Sequence, residues 1–278
     1  MKKKLVGLLA GLVVLSAAVT GCGGEKAPEQ PTQGQAGEKT VVVGATPVPH
    51  VEILKEVQPI LEKQGIKLVI KDFADYTIIN KALAEKEVDA NFFQHQPYLD
   101  DSNQKNSYDL VATTKVHIEP LGIYSKKVKS LDELKENATV AIPNDATNGG
   151  RALQLLAQAG LFTLKDGVGV AATKLDIVEK PKKIKIQELD AAVIARTLED
   201  VDLAVINGNY ALDAKLVPSK DAIQLESGEN NPYANILVVR KGDENREEIK
   251  ALGEALNSPE VKAFIEQKYP DGSVLAAF

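Results

Sequence analysis

The chain has 278 residues, 44% of them hydrophobic, which is enough for two α/β lobes or one large domain. Its 33 basic residues stand against 39 acidic ones, a balance that excludes the concentrated basic face needed by a nucleic-acid binder. A single cysteine excludes an intrachain disulfide.

Lys2, Lys3 and Lys4 precede an uncharged apolar run over residues 5–19, too short for a membrane span, which needs about 20 residues. Residues 1–21 therefore read as a signal peptide. Val19-Thr20-Gly21-Cys22 resembles a bacterial lipobox, in which Cys22 becomes the lipidated first residue of the mature protein. Removing residues 1–21 takes away three lysines and no acid, leaving 30 basic against 39 acidic residues, a net charge of −9. Residues 22–39 are Gly, Pro, Gln, Glu and Lys with almost nothing to bury, so they read as a disordered tether. The expected location is the cell membrane, lipid-anchored and facing outside the cytoplasm.

From Thr40 the composition changes. Val41-Val42-Val43-Gly44-Ala45 is a buried-strand signal. Residues 50–64 place Val51, Leu54, Val57 and Leu61 at helical spacing, with Gly65 as a stop and Pro59 as the point of a kink. Residues 66–73 alternate into a strand, 78–86 read as a helix and 90–93 as a strand. This alternation predicts parallel α/β sheets. A second unit opens after Leu121-Gly122-Ile123-Tyr124, with a short helix over 131–136, a strand over 139–142, a helix over 150–158 closed by Gly160, and a strand over 204–206. Residues 236–239 read as a strand returning to the first unit, and 247–269 as one terminal helix. Two α/β lobes joined by crossing segments form a hinge with a ligand cleft between them. The expected division is 40–119 plus 235–278 for the first lobe and 120–234 for the second.

An enzyme lacks its parts here. The sequence holds no G-x-S-x-G elbow, no P-loop and no G-x-G-x-x-G after the first strand. Asp100-Asp101 reads as a solvent-facing or capping pair.

Several strings together resemble the NlpA lipoprotein family. Residues 88–99, VDANFFQHQPYL, resemble its D-A-N-x-F-Q-H-x-P-Y-L signature. Pro143-Asn144-Asp145-Ala146-Thr147-Asn148 followed by Arg151 resembles its P-N-D-x-[ST]-N-x-x-R loop. Residues 124–134, 164–169, 205–211 and 232–235 match in the same order, so the resemblance covers residues 40–278. It implies a two-lobed periplasmic-binding-protein-like fold, no enzymatic activity and no cofactor. It also implies a monomer that binds L-methionine and delivers it by hinge closure to an ABC permease and its ATP-binding subunit, with a lipid at Cys22 holding it to the membrane. No nucleic-acid partner is implied.

The resemblance also implies roles for individual residues. Asn148 and Arg151 would hold the ligand's α-carboxylate at a helix start, through a planar fork and free backbone N–H groups, with Gly149 and Gly150 letting the backbone approach the ligand. Asn207 and Asn235 would bind its polar end. Tyr76, Phe93, His95 and Tyr98 would form the pocket for the thioether, Phe92 facing the core instead. His117 and Glu119 share one face of the crossing segment. Glu119 stands where some members carry an aromatic residue, which offers a second contact to an ammonium and, as an alternative, a methionine-containing dipeptide or other amino acid. A further alternative is a zinc site built from His95, His117 and Glu119.

Overall fold

The structure is a computed structural model and describes residues 39–180 and 182–278. The expected signal peptide, Cys22 and all of the expected tether except Lys39 lie outside the described residues; Lys39 itself opens the first strand. Among the described residues no helix is long and apolar enough to cross a membrane.

In chain order the first half contains β1 (Lys39–Ala45), α1 (Glu52–Glu62), β2 (Ile66–Asp72), α2 (Ile79–Ala84), β3 (Ala90–His95), α3 (Gln96–Asn106), β4 (Leu110–Ile118), β5 (Gly122–Tyr124), β6 (Ala138–Pro143) and α4 (Ala146–Gln158). The second half contains β7 (Thr163–Leu164), β8 (Ile177–Glu179), β9 (Ile184–Leu189), α5 (Ala191–Ile194), β10 (Leu203–Ile206), α6 (Gly208–Asp213), α7 (Pro218–Asp221), β11 (Ala222–Leu225), β12 (Asn235–Arg240), α8 (Glu247–Leu256), α9 (Pro259–Lys268) and β13 (Leu275–Ala276).

Two sheets carry the fold. The first runs in the order β13-β4-β12-β3-β1-β2 and the second in the order β11-β5-β10-β6-β9. Neither is purely parallel, which corrects the expectation from strand–helix alternation. β12 arrives from the second sheet and runs antiparallel between β3 and β4. β5 pairs antiparallel with both β10 and β11. The chain crosses between the sheets twice, at residues 119–121 and 226–234.

The first sheet is covered on both faces, so its inner strands are apolar on both sides. Leu237 and Val239 of β12 pack with α1, α8 and α9, whereas Ile236 and Val238 pack with α2 and Leu99 of α3. The same alternation splits the two phenylalanines of β3. Phe92 joins the α1 side of the core, and Phe93 joins Tyr76, Tyr124 and Tyr210 on the other. α1 runs through Pro59, and Gly65, at φ +72°, supplies the left-handed turn into β2. The terminal segment is two helices rather than one. Ser258 caps the second by accepting from the Val261 N–H, and Pro259 takes its first position, where a missing N–H costs nothing.

α4 begins at Ala146, four residues earlier than its apolar pattern, because Asp145 caps it by accepting from the Asn148 N–H. Gly149 and Gly150 sit inside this helix, do not line the cavity where the two sheets meet, and lie close to neighbouring carbonyls. A Cβ on Gly149 would lie 2.9 Å from the Pro143 carbonyl oxygen, and one on Gly150 would run into the Val170 carbonyl. Gly150→Ala should therefore destabilise the protein by about 1–3 kcal/mol, the usual cost of overpacking, read as a lower urea midpoint at unchanged slope. Wild-type stability in that variant would show that the 168–172 turn gives way freely.

Candidate ligand-binding site

A cavity with an empty volume of about 340 Å³ lies where the two sheets meet. Its lining comes from seven places in the chain. Tyr76 stands before α2, Phe93, Gln94 and His95 end β3, and Tyr98 is in the first turn of α3. Glu119 lies on the first crossing segment, Asn148 and Arg151 on α4, Asn207, Gly208 and Asn209 at the start of α6, and Asn235 opens β12.

Arg151 is 4% exposed. A buried guanidinium needs a counter-charge and hydrogen-bond acceptors. Glu226, on the second crossing segment, supplies both. Its carboxylate accepts from Nε at 2.9 Å and from Nη2 in a forked pair. Nη2 also donates to the Glu119 carbonyl oxygen at 3.1 Å. Tyr233 lies under the guanidinium, its ring centroid 4.1 Å from Cζ. Among the described residues Nη1 makes no hydrogen bond, so one end of the fork is left for a ligand.

The helix start is not an open anion site. The Asp145 carboxylate accepts from the Asn148 N–H at 2.8 Å, from Asn148 Nδ2 at 3.1 Å and from the Thr147 hydroxyl at 3.1 Å. Burial raises the Asp145 pKa, against the lowering effect of these bonds. The cationic side chain that lines this end of the cavity is Arg151. Asn148 Oδ1 accepts from Asn207 Nδ2 at 2.9 Å and from His95 Nε2 at 3.2 Å. Asn207 is the residue before α6, but its side chain does not cap that helix, and among the described residues its buried Oδ1 has no partner. Such an acceptor costs about 1–3 kcal/mol unless a ligand satisfies it.

His95 is bound on both nitrogens, its Nδ1 accepting from the Tyr98 N–H at 3.3 Å. It does not join His117 and Glu119. The cluster that forms is His50, His117 and Glu119, with donor atoms within 4.8 Å of one another. His117 Nε2 lies 2.6 Å and His50 Nε2 3.3 Å from the same oxygen, Glu119 Oε1. The first is a hydrogen bond and the second a looser charge contact, since His50 bonds Thr46 and Asn235 instead. His117 is fully buried beneath Glu119 and does not line the cavity. Burial pushes the pKa of His50 down to about 4, against the pull of Glu119, and that of His117 to about 3. His95 falls to about 3 through burial and the nearby Arg151 charge. The same burial raises the pKa of Glu119, opposed by His50, the Asn209 N–H and Arg151.

The apolar wall is Tyr76, Phe93 and Tyr98, with ring centroids 5.6–5.9 Å apart. Tyr210 stacks behind Tyr76 at 4.8 Å, and the Tyr76 hydroxyl donates to Asn209 Oδ1. Sequence reasoning passed over His50, Gln94, Asn209, Glu226 and Tyr233. Asn209 and Tyr233 stood inside quoted motifs; His50 and Glu226 gave no local signal.

These residues lie in a recognisable chain. The NlpA lipoprotein family profile matches residues 41–278. The chain belongs to the NlpA lipoprotein family. It is 47% identical to the methionine-binding lipoprotein MetQ of Bacillus subtilis, covering 99% of this chain and 98% of that protein. It is 42% identical to the D-methionine-binding lipoprotein MetQ of Salmonella typhimurium, covering 95% of each. A nutrient-binding protein from Burkholderia cenocepacia, solved bound to methionine, superposes with a TM-score of 0.82 at 48% identity, covering 86% of this chain and 100% of that one.

In this NlpA chain the D-A-N-F-F-Q-H string is largely scaffolding. The Asp89 carboxylate accepts from the Val42 N–H at 2.9 Å and from Arg246 at 3.0 Å, tying β1 to α8. Asn91 and Gln94 form a closed buried network with Asn80 of α2, at 2.6–2.9 Å. Only Phe93, Gln94 and His95 reach the cavity.

The chain's three histidines are His50, His95 and His117. Each stays neutral in the folded protein where the unfolded chain takes up a proton below about pH 6.5. The unfolded state then binds more protons, so each histidine contributes a loss of stability that grows as pH falls, at most about 1.4 kcal/mol per pH unit. In stepped-pH urea unfolding, His95→Gln should show a slope smaller by about that amount between pH 6 and 4.5. An unchanged slope would mean that the folded protein protonates the ring.

Proposed function

We propose that this chain is an extracytoplasmic, lipid-anchored binding protein that takes up L-methionine in the cavity between its sheets. The observation that carries the reading is the polarity of the cavity. An unpartnered buried acceptor, Asn207 Oδ1, shares it with a spare cationic donor, Arg151 Nη1, beside an aromatic wall. A zwitterionic amino acid with an apolar side chain answers all three. Its carboxylate meets Arg151 Nη1 and its ammonium meets Asn207 Oδ1. Its thioether lies against Tyr76, Phe93 and Tyr98, each such sulfur contact being worth about 0.3–1.5 kcal/mol. Two relatives above 40% identity, one named for methionine binding and one for D-methionine binding, and a nutrient-binding protein solved with methionine bound support methionine as the ligand without fixing its hand.

A single amino acid suits the cavity better than a methionyl dipeptide. Glu119 Oε1 is already engaged by His50 and His117, so the carboxylate is committed inward and not held out for a second, distant amine. A zinc protein using His95, His117 and Glu119 has no support, because His95 is bonded elsewhere.

The rest of the reading follows from the two crossings. Residues 40–119 with 235–278 form one lobe and 120–234 the other, and closure about the crossings brings α4 onto the ligand. The closed monomer then docks on an ABC permease whose ATP-binding subunit supplies the energy. A lipid on Cys22 holds the body at the membrane surface and raises its concentration near the permease.

Calorimetry on the body lacking residues 1–22, unfolded and refolded to strip carried-over ligand, tests this directly. L-methionine should bind one to one, and Arg151→Ala should weaken it by at least about 30-fold, the lower bound for truncating one partner of a buried charge pair. D-methionine in a parallel titration measures the stereochemical preference. Absence of heat with methionine, or undiminished affinity in a folded Arg151→Ala, would refute the proposal.

A further inference from the structure

Asn235 is a lining amide whose direction is set from outside the cavity. Its Oδ1 lies 3.0 Å from Nε2 of His50, a residue 1% exposed and absent from the cavity wall. On the far side of the ring, Nδ1 lies 2.8 Å from the hydroxyl of Thr46, itself fully buried. Phe92 and His117 pack edge-on against the imidazole at 4.8 and 4.9 Å, so the ring cannot turn over without disturbing the core.

A neutral imidazole has one N–H donor and one acceptor. Burial keeps His50 neutral down to about pH 4. Independently of the amide, the carboxylate oxygen Glu119 Oε1 lies 3.3 Å from Nε2, which favours the hydrogen on that nitrogen and leaves Nδ1 to accept from the Thr46 hydroxyl. A donor at Nε2 admits only the carbonyl end of the Asn235 amide. The two N–H groups of Nδ2 are left for the ligand.

We propose that His50 is a positioning residue: through the chain Thr46–His50–Asn235 it fixes which end of the Asn235 amide faces the ligand, so that this wall donates to a carboxylate. This role rests on the amino-acid reading of the cavity given above. Without the ring the amide is free to reverse, and a carbonyl aimed at a carboxylate repels it. A ligand without that charge is far less affected.

The test compares L-methionine with L-methioninamide, which keeps the ammonium and thioether and loses the carboxylate. His50→Ala should weaken L-methionine at least about tenfold and L-methioninamide less than about threefold. In an Asn235→Ala background, His50→Ala should have no further effect on L-methionine, since coupled residues lose their interaction once. His50→Gln, which keeps a donor toward Asn235, covers the case in which the alanine variant fails to fold; it should stay within about threefold of wild type for both ligands. Equal losses for the two ligands, or additive losses in the double variant, would overturn the proposal. A second readout needs no ligand. The ring 15N shifts of His50 in the stripped wild-type protein should report the Nε2–H tautomer, and an Nδ1–H tautomer would overturn it. Wild-type protein silent toward methionine would sink the amino-acid reading alone, and the tautomer would still judge His50.

Discussion

The burial of the Arg151 guanidinium is the constraint on which the site depends. An isolated charge at 4% exposure is untenable, so the fold must bring it a carboxylate, a carbonyl and a ring. They come from the two places where the chain crosses between sheets: the Glu119 carbonyl from the first, Glu226 and Tyr233 from the second. One side chain on α4 is thereby tied to both crossings. A buried ion pair of this kind contributes little net stability, because desolvation offsets most of its attraction. Its value lies in position: with Nε and Nη2 engaged, the guanidinium is held in one orientation at the cavity wall.

Around this cation the other polar groups are neutral or self-satisfied. Asp145 is consumed by capping α4 and by the Asn148 side chain. The three histidines are kept uncharged by burial, and two of them close on Glu119. Asn148 links His95 to Asn207, which leaves Asn207 Oδ1 as the unfilled acceptor. Such a wall suits a zwitterion, whose opposite charges meet opposite partners, better than a ligand of net charge. The aromatic side adds size and shape selection, with Tyr210 and Asn209 holding Tyr76 in place from behind.

Much of this was legible in the residues themselves. Apolar patterning marked six of the thirteen described strands, β1, β2, β3, β6, β10 and β12, and missed the short or half-exposed ones such as β9 and β11; Gly65 and Gly160 marked helix ends at positive φ. Adjacent phenylalanines on a strand must point apart, and Phe92 and Phe93 do. Other features escaped for physical reasons. Glu226 is 75 residues from Arg151, and no local pattern announces a partner at that separation. His50 sat at the edge of a helical pattern, where a histidine is unremarkable; only the fold brings it to Asn235 and Glu119. Gly149 and Gly150 suggested close approach to a ligand, but close approach to neighbouring carbonyls makes the same demand. Asp145, three residues before Asn148, was a readable cap signal, and it moved the helix start and closed the anion site. The antiparallel return of β12 follows from the crossing and not from the composition of residues 235–240, which is that of any buried strand.

A crystal structure of the body with L-methionine tests the central claim most directly, because the claim is one of orientation. The account predicts the carboxylate on Arg151 Nη1 with the Asn235 amide donors, the ammonium on Asn207 Oδ1, and the thioether against Tyr76, Phe93 and Tyr98. A ligand bound the other way round, with its ammonium at Asn235 and its carboxylate away from Arg151, would contradict it.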